Sequence, residues 1–268
     1  MSLLPSPPFV PVEGIHNFRD LGGYPVSTSP SKTIRRNIIF RCAEPSQITP
    51  NGIQTLQSLG VATFFDLRSG PEIEKMKARA PVVEIKGIER VFVPVFADED
   101  YSPEQIALRY KDYASSGTGG FTRAYHDILR SAPPSYRRIL LHLAEKPHQP
   151  CVIHCTAGKD RTGVLAALIL ELAGVDQDTI AHEYALTELG LKAWRPTVVE
   201  HLLQNPALEG NREGALNMVS ARAENMLAAL EMIREIYGGA EAYVKEKCGL
   251  SEEDIARIRQ NILHTPSP

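Results

Sequence analysis

PCVIHCTAGKDRTGVLAALILELAG, residues 150–174, joins a short apolar run to a helical stripe through a tight bend of small and polar residues. PCVIH (150–154) reads as a buried strand. Val164, Leu165, Leu168, Ile169 and Leu172 recur at helical spacing up to Gly174, which predicts a helix over 159–173. A strand that feeds a helix N-terminus through a short loop converges several backbone N–H groups on one point, and the helix dipole strengthens their pull on an anion. Ala157 and Gly158 keep bulky side chains out of the bend. Arg161 falls in the first helical turn, where its planar fork can bond two phosphoryl oxygens. Cys155 starts the bend, beneath the place a phosphorus atom would take. The same donors favour its thiolate and so make it a nucleophile at neutral pH. The loop Thr156, Ala157, Gly158, Lys159, Asp160, Arg161 is therefore the expected phosphate cradle. A nucleotide-binding loop of the Gly-Lys-Ser/Thr kind is excluded, because Asp160 follows Lys159. A metal site fits poorly, since neighbouring His154 and Cys155 on a strand point to opposite faces.

Working outward, NIIFR (37–41), VATFFDL (61–67) and RVFVPV (90–95) read as three further strands. Thr49-Pro50 opens a helix that stops at Gly60, and Ser102-Pro103 opens another. Phe121, Tyr125, Ile128 and Leu129 mark a helix broken at Pro133-Pro134, after which Ile139, Leu140 and Leu143 mark the next. Strands alternating with helices predict an α/β fold with a mostly parallel central sheet flanked by helices. Ligands bind beyond the carboxyl ends of such strands, where both HCTAGKDR and DLRS (66–69) lie. Residues 178–262 carry no strand signal and form a helical C-terminal third. Residues 1–15, with four prolines in the first eleven positions, read as an extended arm, and 16–268 as one domain.

The 268-residue chain can bury a full core. A net charge of −3 argues against a general nucleic-acid binder. No apolar run approaches the roughly 20 residues that cross a bilayer. The four cysteines, Cys42, Cys151, Cys155 and Cys248, show neither metal-ligand spacing nor disulfide density, which points to a reducing, cytoplasmic setting. Cys42, Cys151 and Cys248 read most simply as small core residues. Cys151 lies about 13 Å along the strand from Cys155, too far to be its redox partner. Cys42 reaches it only if the fold brings RCAEP to the site.

HCTAGKDRTG resembles the signature of the cysteine-dependent protein tyrosine phosphatase superfamily, His-Cys-five residues-Arg-Ser/Thr. Its Gly-Lys-Asp-Arg variant is similar to the atypical tyrosine/lipid phosphatases of bacteria and fungi. HNFRDLGGYPV (16–26), FFDLRSGPEIE (64–74) and the stretches ARAENM, YGGAEAYV and GLSEEDIARIR match that branch in order. The resemblance implies a phosphatase-like fold and hydrolysis of phosphate monoesters with no metal or cofactor. The substrate would be a phosphorylated protein or a phosphoinositide. Cys155 matches the nucleophile that becomes a phosphocysteine, and Arg161 the phosphate clamp. Thr162 matches the hydroxyl that assists loss of the thiolate, and His154 the buried histidine that props the loop. Lys159 and Asp160 match loop residues through which the lipid-active branch handles extra phosphates and proton transfer.

The general acid is open among several aspartates. Asp160 comes first, because its loop places a carboxyl beside the leaving oxygen. Asp66 at a strand end is second, with a structural cap as its plainer reading. Asp98 and Asp100 in FADED (96–100) are third, while Asp127 reads as a solvated helix face. Arg19 and Asp20 read as a structural ion pair or turn. Residues 190–214, around Trp194, the chain's single tryptophan, read either as core packing or as a helical lid over the phosphate site. Two other functions remain in view: a silent phosphate-binding module and a rhodanese-type sulfurtransferase. The His before Cys155 and the Arg161-Thr162 pair fit the latter less well.

Overall fold

The computed structural model describes residues 4–98 and 103–265. Four strands, β3 (Ile39–Cys42), β6 (Cys151–His154), β4 (Thr63–Asp66) and β5 (Glu89–Phe92), lie side by side in that order and run parallel. The short β1 (Arg19–Asp20) adds antiparallel to the outer edge of β3. β2 (Thr33–Ile34) and β7 (Leu263–His264) form a separate antiparallel pair. Among the strands come α1 (Pro50–Ser58) and α2 (Gly70–Met76), then α3 (Pro103–Ala114), α4 (Gly119–Ser131) and α5 (Pro133–Glu145). After β6 follow α6 (Asp160–Leu172), α7 (Gln177–Ala185), α8 (Thr187–Gly190), α9 (Arg195–Leu202), α10 (Arg212–Met218), α11 (Ala223–Tyr237), α12 (Ala240–Glu246) and α13 (Glu252–Ile262).

β3, β4 and β6 are buried on both faces, so their apolar residues show no alternation in the sequence and it is visible only in what each side chain meets. Ile39, Phe65 and Ile153 join the main core with Leu165 and Leu168 of α6 and the stripes of α4, α5 and α11. Phe40, Phe64 and Val152 face the other way, onto Leu56 of α1 and onto Val12, Ile15 and Phe18. Each such side chain contributes about 1.5–3 kcal/mol by leaving water. A third, small cluster of Val199, Leu208 and Ala215 packs with Tyr110 and Ala114, joining α9 and α10 to α3.

The expected strands and helices are present with shifted ends. Thr49 caps α1 as the sequence rule requires, its Oγ1 accepting from Gly52 N–H at 3.2 Å, and Gly60 follows the helix end with φ +70°; Ser102 lies outside the described residues. The all-helical reading of the C-terminal third holds, with left-handed Gly238 and Gly239 separating α11 from α12. Two features differ from expectation. β1, β2 and β7, two residues each, are too short to show a period of two. The described part of the proline-rich arm is packed down: Phe9 bridges to Arg19, and Val12 and Ile15 are buried. Among the described residues no helix is long and apolar enough to cross a membrane.

Candidate active site

β6 ends at His154, and α6 begins at Asp160, so the bend lies at the carboxyl end of the central strand. Gly158 adopts φ +62°, and a Cβ there would fall 2.0 Å from the Cys42 carbonyl oxygen. Only glycine allows the loop to turn so close to β3. Cys155 sits at the floor, 2% exposed.

Arg161 is held at two atoms. Its Nη1 and Nη2 donate to the two carboxylate oxygens of Glu72 at 2.6 and 2.8 Å, and Nη1 also reaches the Leu67 carbonyl at 3.4 Å. Glu72 additionally accepts from the Thr156 hydroxyl. Its own place is fixed by a capping box at the start of α2, where Ser69 Oγ accepts from Glu72 N–H and the Glu72 carboxylate accepts from Ser69 N–H. Sequence reasoning did not single out Glu72. The signal that could have found it is Ser69-x-x-Glu72, a helix start directly after the strand end DLRS.

The remaining candidates separate by their partners. Asp160 accepts from Tyr125 Oη at 2.9 Å, and Tyr125 Oη meets Tyr184 Oη at 2.6 Å. Its carboxylate lies 3.4 Å from Lys159 Nζ and is 23% exposed, so it borders solvent at the loop. Lys159 turns away from the cradle. Its buried ammonium donates to the carbonyls of Met218 and, at 3.0 Å, Ser220, and lies over the rings of Tyr113 and Phe121. Only the backbone of Lys159 is therefore part of the cradle here. The Thr162 hydroxyl is fully buried with no hydrogen-bond partner among the described residues.

Asp66 is buried beneath the strand ends, where Arg68 grips both its oxygens at 2.9 Å and Arg90 Nη2 donates at 2.8 Å. Burial alone would raise its pKa. His154 at 3.8 Å and the two guanidinium groups outweigh that and hold the carboxyl far below the usual carboxylate range. Burial also pushes His154 down towards its neutral form, so the arginines carry most of the compensation. With both oxygens hydrogen-bonded to guanidinium groups and its pKa held down, Asp66 is placed to tie the ends of β4 and β5 together. His154 Nδ1 meets the Cys155 carbonyl at 3.1 Å, which fits a prop for the loop. Asp98 lies beside Gly70 at the start of α2, Asp100 falls outside the described residues, and Asp127 sits on α4. Asp20 caps a turn by accepting from Gly22 and Asn37 N–H, while Arg19 pairs with Glu183 at 2.7 Å and not with Asp20.

Cys42 stands opposite His154 in the β3–β6 register, one residue from Cys155. The fold does bring RCAEP to the loop, with Glu44 N–H donating to the Thr156 carbonyl at 3.0 Å, while Cys42 packs in the α1 cluster and Cys155 in the main core. All four cysteines are free, and burial raises Cys151 and Cys248 to about 12. Trp194 stacks on His16 at 6.3 Å, so it packs against the N-terminal segment. Among the described residues no group of three or more His, Cys, Asp or Glu is arranged to hold a metal.

A parallel sheet that delivers a buried cysteine, a wrapped loop and a locked arginine to one helix N-terminus defines a cysteine-dependent phosphoric monoester hydrolase. Residues 10–264 match the model of the tyrosine phosphatase family, and the chain belongs to that family. It is 29% identical to the triple specificity protein phosphatase PtpB of Mycobacterium tuberculosis, over 93% of this chain and 97% of that protein. A tyrosine-protein phosphatase of Nostoc commune is 28% identical over 84% of this chain and 74% of its own length. A putative tyrosine-protein phosphatase of Cupriavidus necator is 24% identical over 93% and 86%.

Proposed function

We propose that this phosphatase acts first on phosphotyrosine, with Cys155 as nucleophile and Asp160 as proton donor. Cys155 Sγ forms a bond to phosphorus as the bond to the leaving oxygen breaks, and Asp160 gives its proton to that oxygen. Arg161 and the loop N–H groups hold the phosphoryl oxygens, where the charge of the transition state gathers. Water then attacks the phosphocysteine and gives a proton to Asp160. Phosphate leaves, and the Thr162 hydroxyl has the returning thiolate as its natural acceptor.

The observation that carries this reading is the buried Cys155 at the start of the loop between β6 and α6, with Arg161 in the first turn of α6 oriented by Glu72. A phosphoinositide reading needs a second phosphate on Lys159, whose ammonium is taken by Met218 and Ser220; this favours the protein substrate. The four free thiols support a reducing compartment such as the cytoplasm. The test is phosphate release from a phosphotyrosine peptide, a phosphoserine peptide and soluble phosphoinositides, with Cys155→Ser as control. Dominant peptide turnover that vanishes in C155S is expected. Faster phosphoinositide turnover would overturn the substrate assignment, and turnover surviving in C155S would overturn the site.

A further inference from the structure

The segment NFRD (17–20) and the buried Arg41 take no part in the reaction as described, yet they meet the back of the phosphate loop. Asn17 Nδ2 donates to the carbonyls of Ala157 and Gly158 at 3.1 and 3.4 Å. Arg41 Nη2 donates to those of Gly158 and Lys159 at 2.7 and 3.3 Å. In a trans peptide the C=O and the following N–H point in opposite directions. Holding three consecutive carbonyls from behind therefore turns the N–H groups of Gly158, Lys159 and Asp160 towards the front, where a phosphoryl group would sit.

The holders are themselves fixed. Glu183 of α7 accepts from Arg41 Nη1 at 2.6 Å and from Arg19 Nε at 2.7 Å. Arg19 also donates to the Asn17 side-chain oxygen and to Thr187 Oγ1. Asn17, Arg19, Arg41, Glu183 and Thr187 are all buried. Two guanidinium groups share one carboxylate, so the cluster leaves one positive charge behind the loop. Water does not screen it there, and its field reaches further than it would at the surface. Burial and the neighbouring Arg41 pull Arg19 down only to about 10, so it keeps its charge at neutral pH.

We infer that Asn17 and Arg41, braced by Arg19 and Glu183, are positioning residues of the phosphate loop, aiming its N–H donors and lending positive charge to the bound phosphoryl group. This rests on the phosphatase reading above. It gives the NFRD segment a role in turnover beyond holding the fold.

The test uses the full chain with Asn17→Gly and Arg41→Lys. Asn17 has φ +59°, which glycine adopts without strain, so N17G removes the amide and leaves the backbone in place. Arg41→Lys keeps the charge and replaces the fork by a single ammonium. The readings are the vanadate inhibition constant, kcat/KM on p-nitrophenyl phosphate and the melting temperature. In N17G, vanadate affinity and kcat/KM should fall together by about tenfold or more, a part of what losing one aimed donor costs, with the protein still fully folded at the assay temperature. R41K should keep more vanadate affinity than Arg41→Met. Unchanged vanadate affinity in folded N17G would overturn the inference, as would losses that only follow the unfolded fraction. Should N17G not fold, R41K and its vanadate constant decide by the same criterion. A wild-type protein that neither binds vanadate nor turns over the aryl phosphate would instead sink the phosphatase reading itself.

Discussion

Asp66 and Asp160 both stand at the carboxyl end of the sheet, but their partners differ in kind. Asp66 is enclosed by guanidinium groups, whereas Asp160 has the Tyr125 phenol and the Lys159 ammonium beside it and is partly open to solvent. This difference is why Asp160, and not Asp66, is the proton donor in the proposed mechanism. Asp160→Asn should slow phenyl phosphate, a poor leaving group, by about 10²–10⁴-fold, and p-nitrophenyl phosphate much less. Equal loss on both esters would assign the acid elsewhere. Asp160 stood out as a candidate in the sequence because it lies inside the motif itself. The enclosure of Asp66 was not legible, because nothing local reveals that Arg90, on another strand, closes over it. Lys159 misled for the same reason: its place in the motif suggests a phosphate-facing ammonium, while its direction is set by carbonyls about sixty residues later.

At the level of elements, β4 and β6 meet at their ends through the register pair Asp66 and His154. Both groups are held below their ordinary pKa values in the fold. For His154, and for His142 where burial also lowers the value, the unfolded chain takes up a proton near pH 6.5 that the fold refuses. Stability is therefore lost as pH falls through that range. For Asp66 the fold stays ionised where the unfolded chain protonates, near pH 3.9, so stability is lost again as pH falls further. Thermal melts should be flat above about pH 7, decline first as pH falls through about 6.5, and decline again below about pH 4. A melting temperature that rises between pH 7 and 5 would contradict a neutral, buried His154. The strands themselves were readable as apolar runs. Their pairing across the sheet was not, since parallel neighbours are joined through helices and carry no shared turn.

Across the whole molecule, α3, α9 and α10 form a cluster of their own beside the main core, and Lys159 ties the end of α10 to the phosphate loop. The sequence marked 190–214 as core or lid but could not show that Tyr110 and Ala114 of α3 complete its packing. Lys159→Met keeps the apolar stem between Tyr113 and Phe121 and leaves two carbonyls without their donor. Losing such bonds costs about 1.4 kcal/mol, so amide exchange in 195–220 should quicken about tenfold while exchange in α6 stays as it was. Unchanged exchange in 195–220 would mean that the cluster holds without this tie.

The pairing of β2 with β7 brings Thr33 and Ile34 against His264 and Leu263, and Arg35 reinforces it by donating to the Asn261 carbonyl. During synthesis Thr33 and Ile34 emerge early and wait for nearly the whole chain before their partners exist. The loop at 155–161 and its supports at 17–41 and 183 all precede β7 in the chain, so their mutual hydrogen bonds do not need that pairing to be complete.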